Sequence, residues 1–219
     1  MWSEQEWLNG ARTPVRALHR SHPGYHRVYF PSQKNHHNII CEGKLEAAYC
    51  VWLEWDADVI AYASQPYTFR WNADGQALRY TPDFFVHHQD DDNHFTEVKY
   101  DFELLAESHK EKLASFQQLC DSTHTVLKLA DRQQLTESSK FKTLRYLYFR
   151  SLGITQREQD YLSEYLNHCG ASFSLRAILG KPSSPTARSI CHQLFKGKLL
   201  ANFDDILTLD TQISLGDSP

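Results

Sequence analysis

Three residues in the middle of the chain, Asp83, Glu97 and Lys99, have side chains that suit acid, metal or phosphate chemistry. Residues 95–99 favour a strand, and because strand side chains alternate between two faces, Glu97 and Lys99 share one face. Residues 80–86 favour a second strand, joined to the first by a polar turn. If the strands pair as a hairpin, we expect Asp83 beside that face. Such a group can hold a divalent cation near a water, which suits phosphodiester hydrolysis.

The same spacing has a plain structural alternative. Acids and lysines occur on many solvated sheet faces, so these residues alone do not separate a nuclease from a protein with a charged surface. A further acid lies upstream, on a helix predicted over residues 42–56. Glu46 borders the apolar stripe of this helix, where an acid is unusual unless it has a partner. That stripe consists of Leu45, Ala48, Tyr49 and Trp52.

Charge is distributed unevenly along the chain. The formal net charge of −4 argues against a protein that coats nucleic acid through bulk charge. Residues 11–41 and 165–203 nevertheless each contain basic residues and no acid, whereas acids concentrate between them. Two basic flanks around an acidic centre fit a DNA-cutting protein, and solvated charge patches give the same pattern.

Several classes of protein are disfavoured. No apolar run approaches the ~20 residues that span a bilayer, so we expect no membrane association. The five cysteines form no Cys-x-x-Cys pair and no signal peptide is apparent, which favours reduced thiols and a cytoplasmic location. The histidines lack the spacing of a tetrahedral zinc site.

The order of elements predicts an α/β fold, a mixed central sheet flanked by helices. A strand over residues 25–30 is expected to end at Pro31, and residues 32–38 to form a polar loop. Residues 77–87 are predicted as one strand, and Asp101 as the N-cap of the following helix.

After Asp131 the pattern changes to helices followed by a short hairpin, which predicts a small winged-helix-like domain. We therefore divide the chain into an N-terminal arm (1–24), a catalytic domain (25–135) and a C-terminal domain (136–219).

These motifs, in this order, resemble those of the TnsA family, the transposon-end endonucleases with a restriction-endonuclease-like PD-(D/E)xK core. The resemblance covers roughly residues 25–130. The motifs that carry it are Glu46, Gln65-Pro66, Thr81-Pro82-Asp83-Phe84 and Glu97-Val98-Lys99. Further similar stretches are His26-Arg27-Val28-Tyr29, His36-His37, Lys44-Leu45-Glu46 and Leu53-Glu54-Trp55.

The resemblance implies roles for the site residues. Glu46, Asp83 and Glu97 would be the acids of a Mg²⁺ site, which Mn²⁺ can also fill, and the Val98 carbonyl would be a further ligand. Lys99 would orient the attacking water and stabilise charge on the phosphate. Glu97 stands where the family also has Gln, and its extra negative charge should strengthen metal binding and keep Lys99 protonated.

The expected DNA contacts include residues of the basic segment and of the resembling motifs. They are Arg27, Lys34, His36, His37, Lys44 and Gln65.

The resemblance also implies a function. The protein would cleave the 5′ ends of a transposon, on the non-transferred strands, while a TnsB-like DDE transposase cuts and joins the 3′ ends. A TnsC-like AAA+ regulator would dock onto the assembly, which would associate with the bacterial nucleoid when bound to DNA. The family includes members from RNA-guided transposons, and the compact length suits one.

Two other functions stay open. A stand-alone restriction or repair nuclease would use the same core without partners. A non-catalytic assembly adaptor would keep the fold and recruit the regulator, although a pure adaptor has no need for three acids around one lysine.

Overall fold

The computed structural model describes residues 27–73, 75–90, 92–181 and 183–216. They form two compact units that divide between Thr136 and Glu137, and each is described by itself. The predicted N-terminal arm lies outside the described residues, and the assignment of domains to the chain stays a prediction. No helix of the described part is both long and apolar enough to cross a membrane.

The first unit begins with a hairpin of strands β1 (Val28–Ser32) and β2 (His37–Cys41), followed by helix α1 (Lys44–Trp55). The expected stop at Pro31 is wrong, because Pro31 pairs with Asn38 inside the ladder, and the expected loop narrows to a turn over residues 33–36. A proline lacks a backbone N–H, but a two-stranded sheet consists only of edge strands, where proline is tolerated.

A four-stranded mixed sheet forms the centre of this unit. The remaining elements are β3 (Val59–Ser64), β4 (Phe69–Ala73), β5 (Gln76–Tyr80), β6 (Phe84–His88), β7 (His94–Lys99), α2 (Glu107–Ser122), β8 (Val126–Asp131) and α3 (Arg132–Thr136). The sheet order is β3-β6-β7-β8, with β7 and β8 parallel and the other pairs antiparallel. The predicted mixed sheet and the hairpin that joins β6 to β7 are confirmed.

The single strand predicted over residues 77–87 is wrong, because the chain changes sheets within it. Strand β5 pairs with β4 in a separate hairpin, whereas β6 pairs with β3 and β7. The break falls at Thr81, Pro82 and Asp83, where proline cannot donate to a ladder. Asp83 therefore lies in a turn at the start of β6, not within a continuous strand.

The predicted N-cap at Asp101 is also wrong. Helix α2 begins at Glu107 with Ala106 as its N-cap. The Asp101 carboxylate instead accepts a hydrogen bond from the Glu103 backbone N–H at 2.8 Å, an Asx-type turn that competes with helix formation.

Aromatic side chains pack on both faces of the sheet. On one face, Tyr49 of α1 packs edge-on against Phe84 with ring centroids 5.2 Å apart. On the other face, Phe85 and Phe95 pack with Phe116 of α2. Neighbouring residues of a strand point to opposite faces, so the sheet lies between two helices as a middle layer.

A buried carboxylate ties the β1–β2 hairpin and β3 to helix α1. Glu54 is only 1% exposed. It accepts hydrogen bonds from the hydroxyls of Ser32 at 2.5 Å and Tyr62 at 2.9 Å, and the Lys34 backbone N–H lies 3.3 Å away. Because a buried charge is costly unless it is hydrogen-bonded, these donors are what make Glu54 tolerable in the core.

The second unit combines helices with a small antiparallel sheet of order β10-β11-β9. Its elements are α4 (Ser139–Ser151), α5 (Gln156–Leu166), β9 (Ser172–Ser174), α6 (Leu175–Leu179), α7 (Ala187–Phe195), β10 (Leu199–Leu200) and β11 (Gln212–Leu215). Ser138, Thr155 and Thr186 cap α4, α5 and α7 with their hydroxyl oxygens. The winged-helix-like assignment of this unit stays a prediction.

Removing the Glu54 carboxylate should destabilise the fold. We expect Glu54→Ala to lower the free energy of unfolding by about 3 kcal/mol, because it removes the carboxylate that accepts from two buried hydroxyls and opens a cavity. Tyr62→Phe, which removes one donor, should cost about 1 kcal/mol. Urea unfolding followed by circular dichroism measures both values, and equal stability of Glu54→Ala and the unaltered protein would contradict this role.

Candidate active site

Asp83 is held at the end of strand β7 by backbone and side-chain donors. Its Oδ2 atom accepts a hydrogen bond from the Val98 N–H at 2.8 Å and another from the Lys99 ammonium at 3.2 Å. Phe84 pairs with Thr96 across the two strands, which places Asp83 next to Glu97. The hairpin thus brings together the two sheet acids and the lysine that the sequence singled out.

The Lys99 ammonium lies where oxygens from the start of β6 and the end of β7 converge. It contacts Asp83 Oδ2 and the Val98 carbonyl oxygen at 3.2 Å each, and it forms an ion pair with Glu97 Oε1. These three oxygen atoms are also the metal ligands that were predicted on the sheet. The protein therefore already holds one cation, its own ammonium, at the point where a metal ion was expected.

Glu46 reaches the site from the first turn of α1. Gly43 caps this helix without a side-chain acceptor, and Glu46 Oε2 accepts a hydrogen bond from the Glu42 backbone N–H at 2.8 Å. An acid in the first turn is also favoured by the helix dipole. Glu46 therefore helps to start the helix, and the charge of Asp83 acts on it.

Burial and mutual repulsion raise the pKa of every acid in the site. Burial, then Asp83, raises the pKa of Glu46 to about 8 and that of Glu97 to about 7. Burial also raises the pKa of Asp83, which Lys99 and the Val98 N–H partly offset. Burial alone would lower the pKa of Lys99, but the charges of Asp83 and Glu97 outweigh it and raise that pKa. The lysine is therefore a proton-bearing cation at neutral pH, as expected from the extra charge of Glu97.

The donor chemistry of this edge fits Mg²⁺, which prefers carboxylate and carbonyl oxygens. Glu97 Oε2 is buried without a hydrogen-bond partner among the described residues, and the Tyr80 phenol lies close to this carboxylate. No group of three or more His, Cys, Asp and Glu side chains in the described ranges is close enough together to hold a metal ion. Two carboxylates and one carbonyl converge, while the third acid, Glu46, is hydrogen-bonded to the Glu42 backbone N–H.

The residues predicted to bind DNA fall into two groups. Arg27, His36 and Lys44 are exposed. The other three are engaged within the fold or buried. The Lys34 ammonium donates to the carbonyl oxygens of Asp56 and Val59, His37 Nδ1 lies 2.7 Å from the Asn35 carbonyl oxygen, and Gln65 is buried. The DNA-binding role of all six stays a prediction.

Two residues near the site were missed from the sequence. The carboxylate of Glu42 raises the pKa values of Glu46 and Asp83, and the Tyr80 phenol lies beside Glu97. Burial, then Glu97, raises the pKa of Tyr80 as well. An acid four residues before Glu46 was a signal for the first, but Tyr80 approaches Glu97 only because of the turn at residues 81–83.

These features define a mixed α/β domain with acids and one lysine at an edge of its sheet. Residues 56–146 match the family model described as TnsA-like endonuclease N terminal. This segment is therefore similar to a TnsA-like endonuclease domain, and the predicted resemblance to the TnsA family is confirmed. The match supports nuclease activity in general and a place in Tn7-like transposition. The comparison with curated proteins finds no match.

The raised pKa of Glu46 should make the metal-free protein less stable as pH rises. Between its ordinary value of 4.5 and about 8, the folded chain holds more of this proton than the unfolded chain, so each increase in pH lowers the free energy of unfolding. Glu46→Gln keeps the acceptor for the Glu42 N–H and removes the charge. We expect the stability of this variant relative to the unaltered protein to increase from pH 5 to pH 8.

Urea unfolding in the presence of a chelator, at several pH values, measures this difference. Glu107→Gln, at an exposed position on α2, is the control. Its free energy of unfolding should differ from that of the unaltered protein by the same amount at every pH. A constant difference for Glu46→Gln as well would mean that this carboxyl titrates alike in the folded and unfolded chains.

Proposed function

We propose that this protein is a Mg²⁺-dependent DNA endonuclease that cleaves the 5′ ends of a transposon, on the non-transferred strands, during cut-and-paste transposition. The observation that carries the proposal is the convergence of Asp83, Glu97 and the Val98 carbonyl on one cationic centre. It lies in a chain whose residues 56–146 match a TnsA-like endonuclease domain. Buried acids that repel one another are typical of sites whose natural occupant is a cation.

The residues of the site have separate roles in this proposal. Asp83, Glu97 and the Val98 carbonyl would hold Mg²⁺, with Glu46 as the acid from the helix. When bound, the ion would lower the pKa of a water and offset charge on the scissile phosphate. Lys99 carries a proton with a raised pKa, so it acts as a donor that orients the water or phosphate oxygens. Asp83 fixes the lysine through its Oδ2 atom.

Cleavage should depend on partner proteins that deliver the DNA. The chain has a net charge of −4, and several of its basic groups are already engaged. Arg176 forms a bidentate pair with Asp210 at 2.9 and 3.1 Å, and the Lys34 ammonium is bound to backbone carbonyls. Since non-specific DNA affinity grows with the number of phosphates neutralised, the isolated chain should bind DNA weakly. A TnsB-like DDE transposase and a TnsC-like AAA+ regulator are the proposed partners.

The second unit offers features that suit such partners. An apolar cavity of about 550 Å³ lies among α4, α6, α7 and the segment before β11. Ile206 at its border is 80% exposed. Exposed apolar side chains beside a cavity are typical of surfaces that bind other proteins. We propose that this unit is winged-helix-like and contacts the regulator or the transposon end.

Strand-specific cleavage tests the proposal. The unaltered protein, Asp83→Asn and the control Glu107→Gln would each be incubated with labelled transposon-end DNA and Mg²⁺, alone and with the transposase and regulator. We expect 5′-end cleavage only with the partners, at least ~100-fold slower for Asp83→Asn because it loses a metal ligand and the anchor of Lys99, and unchanged for the control.

The other outcomes identify the competing functions. Cleavage of unrelated DNA by the protein alone would indicate a stand-alone nuclease. Unchanged 5′ cleavage with Asp83→Asn would refute the catalytic assignment and leave the adaptor. Circular dichroism of Asp83→Asn distinguishes a loss of chemistry from a loss of folding.

A further inference from the structure

Gln65, the residue that follows strand β3, is buried without using its side-chain oxygen. It is 2% exposed, and its Oε1 atom has no hydrogen-bond partner among the described residues. Most buried polar side chains are hydrogen-bonded, because an unpaired buried amide costs stability. Its unused oxygen therefore costs stability unless a donor from outside the chain pairs with it.

The backbone of Gln65 adds a second cost. Its φ angle is +45°, in the left-handed region that residues other than glycine, asparagine and aspartate seldom adopt. Strained residues persist where the surrounding structure holds them, and they cluster at functional sites.

The position of Gln65 is next to the site. Ser64 pairs with Phe84, and the Gln65 backbone N–H donates to the Asp83 carbonyl oxygen at 2.8 Å. Phe84 in turn pairs with Thr96, so Gln65, Asp83 and Glu97 follow one another across three strands. Glu97 Oε2 at this edge is also buried without a partner in the described part of the chain. Two residues that each have an unused acceptor oxygen thus neighbour Asp83 in the strand pairing.

The chain contains a useful comparison in Gln193 of α7. Its Oε1 atom is likewise buried without a partner in the part of the chain described. Gln193 lies within a helix of the second unit and so has an ordinary helical backbone. It therefore shows what an unpaired glutamine oxygen costs at a position that is not part of the proposed site.

We propose that Gln65 is a positioning residue whose side-chain amide accepts a hydrogen bond from a water held at the Asp83–Glu97 edge when Mg²⁺ is bound. This inference rests on the proposed function, since it assigns Gln65 to the same site. It differs from the predicted role as a DNA contact, because it assigns the buried Gln65 side chain to a water of the site. It explains why an unpaired oxygen and a left-handed backbone occur together here.

Gln65→Leu tests the proposal, with Gln193→Leu as the matched control. Both changes replace a buried amide whose oxygen has no partner among the described residues by an apolar side chain of similar size. Three quantities would be measured on the full chain: the unfolding temperature with a chelator, the Mg²⁺ concentration that gives half of the metal-induced rise in that temperature, and the 5′-end cleavage rate with the transposase and regulator.

We expect both variants to unfold in chelator at the same temperature as the unaltered protein or ~2–4 °C higher. For Gln65→Leu but not for Gln193→Leu, the Mg²⁺ concentration that gives half of the metal-induced rise should increase about tenfold. The cleavage rate should fall about tenfold, in the range seen when residues that orient metal ligands are changed. A variant that is no less stable and yet binds Mg²⁺ more weakly is the signature of a positioning residue.

Three results would overturn the inference. The first is a lower unfolding temperature of Gln65→Leu in chelator, which would indicate a structural role only. The others are equal Mg²⁺ responses of Gln65→Leu and Gln193→Leu, and no response of the unaltered protein to Mg²⁺. If Mg²⁺ binding changes as expected but the unaltered protein does not cut 5′ ends with its partners, the inference stands and the proposed function fails.

Discussion

The ion pairs of the Lys99 ammonium with Asp83 and Glu97 are the interaction on which the site depends. Buried carboxylates next to one another are unfavourable because each loses hydration and repels its neighbour. The ammonium offsets both effects, and the Val98 N–H adds a further donor to Asp83. Without a cation at this point, the ends of β6 and β7 would carry uncompensated charge. The fold therefore stabilises a positive charge at this point in the absence of any metal ion.

The rest of the first unit fixes the position of that point. Helix α1 packs on one face of the sheet through Tyr49 and carries Glu46 toward Asp83. Helix α2 packs on the other face through Phe116. The buried Glu54 network joins the β1–β2 hairpin to the same helix α1. The acids thus lie on rigid elements, which suits chemistry that needs fixed distances between charges.

The arrangement links stability to function. Raised pKa values of the acids and an unpaired Gln65 oxygen both lower the stability of the metal-free protein. Proteins commonly accept such costs where a ligand later compensates for them. Binding of a divalent cation would lower the repulsion among the acids and would thereby release protons. In the proposed mechanism, the same groups would make the metal-free site weakly stable and would favour binding of the cation.

The sequence by itself determined the local features of this protein. Alternation in residues 95–99 placed Glu97 and Lys99 on one face, and the helical stripe placed Glu46 at its margin, because these patterns depend only on neighbouring residues. The motifs also indicated the family. The tertiary structure decided what depends on contacts between distant residues. The strand predicted over 77–87 divides at Pro82 because its halves pair with different partners, and Pro31 stays in β1 because β2 pairs with it. The burial of Gln65 and the engagement of Lys34 also depend on such contacts, and no local pattern encodes them.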